Sequence, residues 1–358
     1  MTAFIVRRTL AGIVTLLAIS FVVFAILELS PADPVGNLPL TIPNEVREQI
    51  RESLGVNDPF LIKYVKWVRQ FMIAEPASFI EEFTCPTPPG STLRNGQPVP
   101  EEDISCAFRF PGSEDRTRII SWNTRSPVME LVAQRIPQTL WVVGTAYLWG
   151  ILIAIPIGVI SAYKQYSLFD QVGSFFAIVG YSIPTFFTGV LFQLIFAVEL
   201  GWFPMLYDTT LEVTNFETFL QQLRQMVLPV TVLTFFYTAQ MSRFTRSAML
   251  DNLGQDYIRT ARSKGLLERD VVIKHALRNS LIPVVTLIAL GIPQIFGGAI
   301  ITEQIFSVNG LGEYLIKAIQ EGDLPSVQTL TFIFAVLIVL FNIIADLVYG
   351  FLDPRVVY

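Results

Sequence analysis

The chain has 358 residues, of which 52% are hydrophobic and only 15% charged, and its mean hydropathy is +0.52. That balance is too apolar for an ordinary soluble domain and predicts an all-α integral membrane protein with several spans. A formal net charge of −5 lacks the basic excess that a nucleic-acid partner calls for, so nucleic acid is excluded as a partner.

In chain order, Arg7 and Arg8 precede an apolar run from Thr9 to Leu29. About twenty residues at 1.5 Å rise cross the ~30 Å hydrocarbon core of a bilayer. The run is longer than the apolar part of a secretory signal, and no small-x-small cleavage site follows it. A retained first span is therefore expected.

Ser30–Glu130 differs in kind, being polar, proline-rich and without a span-length apolar run. Pro43–Leu54 predicts a surface helix with proline near its start, and Tyr64–Met72 an amphipathic one. Glu75–Arg118, rich in Pro, Gly, Ser and Glu, predicts loop. It holds the chain's two cysteines, Cys85 and Cys106.

Five further spans are expected at Pro137–Ala162, Val172–Leu200, Met226–Met249, Leu281–Thr302 and Ser326–Phe351. Six spans in all place both termini on one side. The short connections on that side carry Arg7, Arg8, Lys164, a run of Lys and Arg from Arg243 to Arg278, and Arg355. Those on the other side carry Arg224 and Lys317. The charge rule therefore makes both termini cytoplasmic, with Ser30–Glu130 outside and too long to count. The division expected is 1–29 (amino terminus and first span), 30–130 (outer insert) and 131–358 (a five-span core with an inner loop at 251–280).

That inner loop, DNLGQDYIRTARSKGLLERDVVIKHALRNSLIP from Asp251 to Pro283, is the most informative stretch. Tyr257, Ile258 and Ala261 recur at helical spacing, and Gly265 supplies a stop. A second amphipathic run, Glu268–Asn279, leads into the next span. Helix, glycine turn, helix on an inner membrane face is a shape built to be gripped.

Catalytic chemistry has little to stand on. No G-x-x-x-x-G-K-[ST] phosphate loop occurs. The single histidine, His275, lies among cations, so no metal site is expected and the serines lack a base. An intramembrane protease would need paired acids at membrane depth. Glu28, Glu199, Glu303 and Asp346 instead fall near span ends, where acids are usually interfacial or paired with bases. A channel would need a filter tract, and Gly291, Gly297 and Gly298 suit close helix packing better.

TARSKG followed by KHALRNSLIP resembles the cytoplasmic EAA loop of ABC-importer permeases, in the form carried by the dipeptide and oligopeptide subfamily. Of the general motif only Ala261, Gly265 and Leu277 are kept, which resembles the peptide branch more than the sugar and phosphate branches. SPADPV, SLGVNDPFLIKYVKWV, SPVMELVAQRIPQTL, YSIPTFF, GWFP, VNGLGEYLIKAI and LDPR extend the resemblance over nearly the whole chain. The stretch Ala74–Ile120 departs from it.

The resemblance implies a non-catalytic permease subunit in a bacterial or archaeal inner membrane, without a cofactor of its own. It implies a second permease, usually a paralogue, an external solute-binding protein, and two ATPase subunits that bind ATP and Mg. Those ATPases would dock on Tyr257, Ile258, Arg259, Thr260, Ala261, Arg262, Ser263, Lys264, Gly265 and Leu266. Relatives of this subfamily also carry nickel, glutathione or oligosaccharides. Cys85 and Cys106, with twenty residues between them, lie on the oxidising side and are expected to form a disulfide worth roughly 3 kcal/mol. Unpaired thiols or pairing with a partner subunit are the alternatives.

Overall fold

The computed structural model describes residues 2–29, 43–53, 58–77, 118–297 and 299–352. The expected Cys85–Cys106 bridge lies outside these residues. Among the described residues the fold is all helical, with one isolated bridge between Ile120 and Pro127.

The helices are α1 (Thr2–Glu28), α2 (Asn44–Ser53), α3 (Phe60–Arg69), α4 (Val128–Thr139), α5 (Thr145–Tyr163), α6 (Leu168–Ser182) and α7 (Thr185–Phe192). They continue with α8 (Phe216–Leu253), α9 (Asp256–Ser263), α10 (Arg278–Gly297), α11 (Ile300–Phe306), α12 (Leu311–Gln320) and α13 (Leu324–Leu352). Wider π-type turns at Leu140–Gly144, Gln193–Glu199 and Val271–Leu277 join or extend them.

Four described stretches are long and apolar enough to cross a membrane: Val6–Glu28, Val128–Tyr163, Glu268–Pro293 and Leu324–Leu347. The pair α6 and α7 makes a fifth if counted as one broken span. The span expected at Met226–Met249 is helical but is not among them. It lies in α8, whose apolar run is interrupted by Gln240, Arg243 and Arg246. Much of α8 is buried against other helices, so it has less need of a lipid-compatible surface.

The span expected at Val172–Leu200 is not one continuous helix. α6 and α7 are bent by 101° at Ile183–Pro184. Proline disfavours helical backbone in the residue before it, and Ile183 is accordingly extended, with φ −80° and ψ 126°. Pro184 then opens α7 as its N-cap.

The chain forms two compact units. The larger comprises Met1–Leu17, Arg135–Ile316 and Ile333–Tyr358. Its core is the seam between α5 and α8. Ala146, Gly150, Ala154, Gly158 and Ala162 recur every fourth residue on one face of α5, and all are buried. A β-carbon added at Gly150 would lie 2.6 Å from Cβ of Tyr237, and one at Gly158 2.6 Å from Cβ of Thr245. Small residues here let two backbones approach closely, the usual means of helix association in lipid. On α10, Gly291 makes room for the Tyr147 ring, and the Tyr147 hydroxyl donates to the Ile288 carbonyl at 2.6 Å.

The smaller unit comprises Ala18–Gln134 and Lys317–Phe332. Phe21 and Phe24 of α1 meet Phe60, Tyr64 and Trp67 of α3 in edge-on and tilted ring contacts. Phe332 closes this cluster against Trp67 and Phe71. The stem that follows the insert is pinned at two points. Buried Glu75 accepts from the Ile119 backbone N–H at 2.7 Å. Buried Asp323 accepts from the Ser121 hydroxyl at 2.5 Å and the Trp122 N–H at 3.0 Å.

Candidate coupling helix and helix-break site

α9 ends where the sequence places a stop. Gly265 has φ +73°, its N–H donates to the Arg262 carbonyl at 2.9 Å, and the Leu266 N–H reaches back to the Ala261 carbonyl at 3.4 Å. These two bonds are the paired closure of a Schellman turn, which needs a left-handed residue at that point. A β-carbon at Gly265 would meet nothing within 4 Å, so the demand for glycine at the β-carbon is conformational and not steric.

The helix is firmly seated. Ile258 and Ala261 are buried in a cluster with Ala162, Met249, Val271, Val272 and Ala276. Arg262 grips Glu268 with two hydrogen bonds, at 2.7 and 3.2 Å. The Tyr257 hydroxyl lies 2.6 Å from the Asn252 side-chain oxygen. Of the residues expected to dock a partner, Tyr257, Arg259, Thr260, Arg262, Ser263, Lys264, Gly265 and Leu266 are exposed. Ile258 and Ala261 face inward and position the helix instead. His275 is half-buried within the turns leading to α10.

Beside this surface, the Asp170 carboxylate of α6 forms a two-bond ion pair with Arg246 of α8, at 2.6 and 2.8 Å. Asp170 is 3% exposed and also accepts from the Tyr166 N–H at 2.9 Å. Ser167 caps α6 by accepting from the Asp170 N–H. This pair holds the Lys164–Ser167 turn, in which Tyr166 adopts φ +64°, against the long central helix.

A second polar centre was not anticipated. Glu303 of α11 is 1% exposed. It accepts from the Thr139 hydroxyl at 2.8 Å and from the N–H groups of Gly312 and Glu313 at 2.8 and 3.1 Å. The Thr139 hydroxyl oxygen in turn accepts from the Leu311 N–H at 2.9 Å. The first N–H groups of α12 thus find acceptors on α11 and α4, the role an N-cap side chain would fill. Gly310, at the cap position, has no side chain to offer, and a β-carbon there would fall 2.3 Å from the Glu303 carboxylate. Burial pushes the Glu303 carboxyl up to about 7, against the opposing effect of its hydrogen-bond donors.

The other span-end acids behave as expected: Glu28 pairs with Lys63, Asp346 pairs with Arg8, and Glu199 is exposed. No cluster of metal-ligating side chains occurs among the described residues.

At the α6–α7 break a cavity of about 380 Å³ opens. Its walls come from the break itself and from Leu233, Phe236 and Tyr237 of α8, with Ile301 of α11 at one side.

Several long apolar helices, a close-packed small-residue seam and an exposed basic helix beside them define a multi-pass integral membrane protein. Residues 154–358 match the family described as binding-protein-dependent transport system inner membrane component, and residues 1–111 its N-terminal companion. The chain belongs to this family. It is 36% identical over its full length to the full oligopeptide transport system permease protein AppB of Bacillus subtilis. It is 31% identical, again with both chains fully covered, to the dipeptide transport system permease protein DppB of Alkalihalophilus pseudofirmus. A putative peptide transport system permease protein of Brucella suis is 32% identical, with the same full coverage.

Proposed function

We propose that this chain is one membrane-spanning half of an ATP-driven importer of di- or oligopeptides, delivered by an external binding protein. The observation that carries the reading is α9: a short, rigidly seated helix with an exposed basic face, in a chain whose sequence has no phosphate loop of its own. An ATP-driven transporter without a nucleotide site of its own takes its energy from a partner, and α9 offers that partner a handle. Two ATPase subunits, one on this chain and one on a second permease, would bind ATP and Mg. Their closure would move the helices as rigid bodies and expose a central path to alternate sides.

Glycine 265 tests the coupling. Gly265→Asp should leave membrane insertion intact but weaken co-purification of the ATPase subunits and abolish uptake. The left-handed backbone accounts for about 1 kcal/mol of local cost. A β-carbon at this position meets nothing within 4 Å in this chain, so a loss of ATPase binding well beyond that cost points to a partner pressed against that spot. Gly265→Asn, which tolerates the left-handed region better, should be milder. Normal uptake and ATPase binding in Gly265→Asp would refute the docking site.

The reading also requires six spans with both termini in the cytoplasm of a bacterial or archaeal inner membrane. A reporter active only in the cytoplasm should work when fused after Lys164, Lys264 or Tyr358, and stay silent after Gly90 or Thr210. Activity at Gly90 would invert the arrangement.

A further inference from the structure

Among the described residues, the break between α6 and α7 interrupts the helical backbone of a candidate span at residues that are not buried. Gly180 loses its donor four residues on, because Pro184 has no N–H. The first N–H groups of α7 have no acceptors within their own helix. Non-helical backbone at membrane depth is tolerated only where protein covers it or where it lines a water-filled cavity. Here Tyr181, Ser182, Pro184 and Phe186 are exposed, so protein of this chain does not cover it. In the transporter reading the second condition applies, and the import path brings water to the break.

The break also falls at mid-length of its span, with α6 and α7 of similar reach on either side once the turns to Glu199 are included. Phe236 and Tyr237, which face it, lie near the middle of α8. The cavity of about 380 Å³ is within the range of small-molecule sites, which are mostly apolar and carry a few placed polar groups. Its aromatic wall is ordered: the rings of Tyr181 and Phe236 stack at 6.1 Å with an interplanar angle of 13°. Phe186 and Ile301 are half-exposed beside it, and the polar groups are the free backbone of the break and the Ser182 and Thr185 hydroxyls.

A lipid chain would leave those backbone groups unsatisfied. A peptide would satisfy both features, its amide groups meeting the broken backbone and a side chain meeting the rings. We infer that this cavity is a way-station on the import path, taking an apolar or aromatic side chain of the passing peptide. The inference rests on the transporter reading above and adds to it the place of contact and the kind of side chain held.

The test uses the whole complex, with both permeases, both ATPases and the binding protein, in proteoliposomes. Ala–(4-benzoylphenylalanine)–Ala is illuminated during ATP-driven uptake, and the cross-linked segment is identified by mass spectrometry. The label should fall within Tyr181–Phe186 or Leu233–Tyr237. In parallel, uptake of Ala-Phe-Ala relative to trialanine should drop about tenfold in Phe236→Ala, the order of discrimination a hydrophobic pocket gives for one lost group. Ile301→Trp, which narrows the mouth without removing a packed ring, should lower the same ratio, and Leu148→Ala, an exposed change elsewhere on α5, should not. If both peptides are imported but the label goes to lipid or to other helices, or the ratio is unmoved in both pocket variants, the way-station is overturned and the transporter reading stands. If the unaltered complex imports neither peptide, the transporter reading fails and takes the way-station with it.

Discussion

Replacing Glu303 by alanine should cost the folded protein about 3–5 kcal/mol, read as a large fall in thermal unfolding temperature of the detergent-solubilised chain. The substitution strands the Gly312 and Glu313 N–H groups and the Thr139 hydroxyl, and leaves a void where a fully buried side chain stood. Glu303→Gln keeps an acceptor for the helix end and an amide for Thr139, so it should lose much less. The pH response separates the two effects. The folded carboxyl titrates near 7 against an ordinary value of 4.5, so its neutral form is the one the fold favours. Its contribution to stability is fully present below 4.5, is lost as pH rises through about 7, and is flat beyond. Glu303→Gln should erase that slope. A wild-type profile that rises between pH 4.5 and 7 relative to the Gln variant would show that the hydrogen-bond donors outweigh burial.

Cutting the Asp170–Arg246 pair should produce the second-largest loss. Removing one partner of a buried ion pair leaves the other charge uncompensated, for which about 3–5 kcal/mol is typical when both are dry. Arg246 is 26% exposed on its side chain, so water recovers part of this, and about 2–3 kcal/mol is expected for Asp170→Ala. Asp170→Ala also frees the Tyr166 N–H, and with it the left-handed residue of the turn. Combining Asp170→Ala with Arg246→Met should restore a good part of the loss. A double-mutant cycle in thermal unfolding measures this, and strict additivity would show that the two side chains do not act as a unit.

Much of the larger unit could be read from residue order alone. Span-length apolar runs needed only the bilayer's thickness, and the Gly265 stop needed only the cost of left-handed backbone for other residues. The seam on α5 was not read from the sequence, although Ala146, Gly150, Ala154, Gly158 and Ala162 repeat at four-residue spacing, because an apolar run hides its small members among large ones. Two features were not legible. Prolines 137, 156 and 229 sit inside continuous helices, whereas Pro184 ends one. The difference lies in whether neighbours absorb the missing N–H, which is a tertiary fact. Glu303 resembled Glu28 and Asp346 in its distance from a span end, but its partners come from α4 and the start of α12, and no local pattern announces them.

The α5–α8 seam has a mechanical consequence. A lone α-helix of 38 residues, about 57 Å long, would flex under an end load. With α5 laid against it at backbone contact, α8 is splinted and acts as a strut. α9 hangs from the carboxyl end of that strut, with only Gly254 and Gln255 between them. A push delivered to α9 is therefore not dissipated by bending nearby. The compliant joint lies farther along, where α6 and α7 meet at an angle and no helical bond crosses from Gly180. Stiffness at the seam and slack at the proline together set where displacement will appear: at the wall of the cavity, away from where the force is applied.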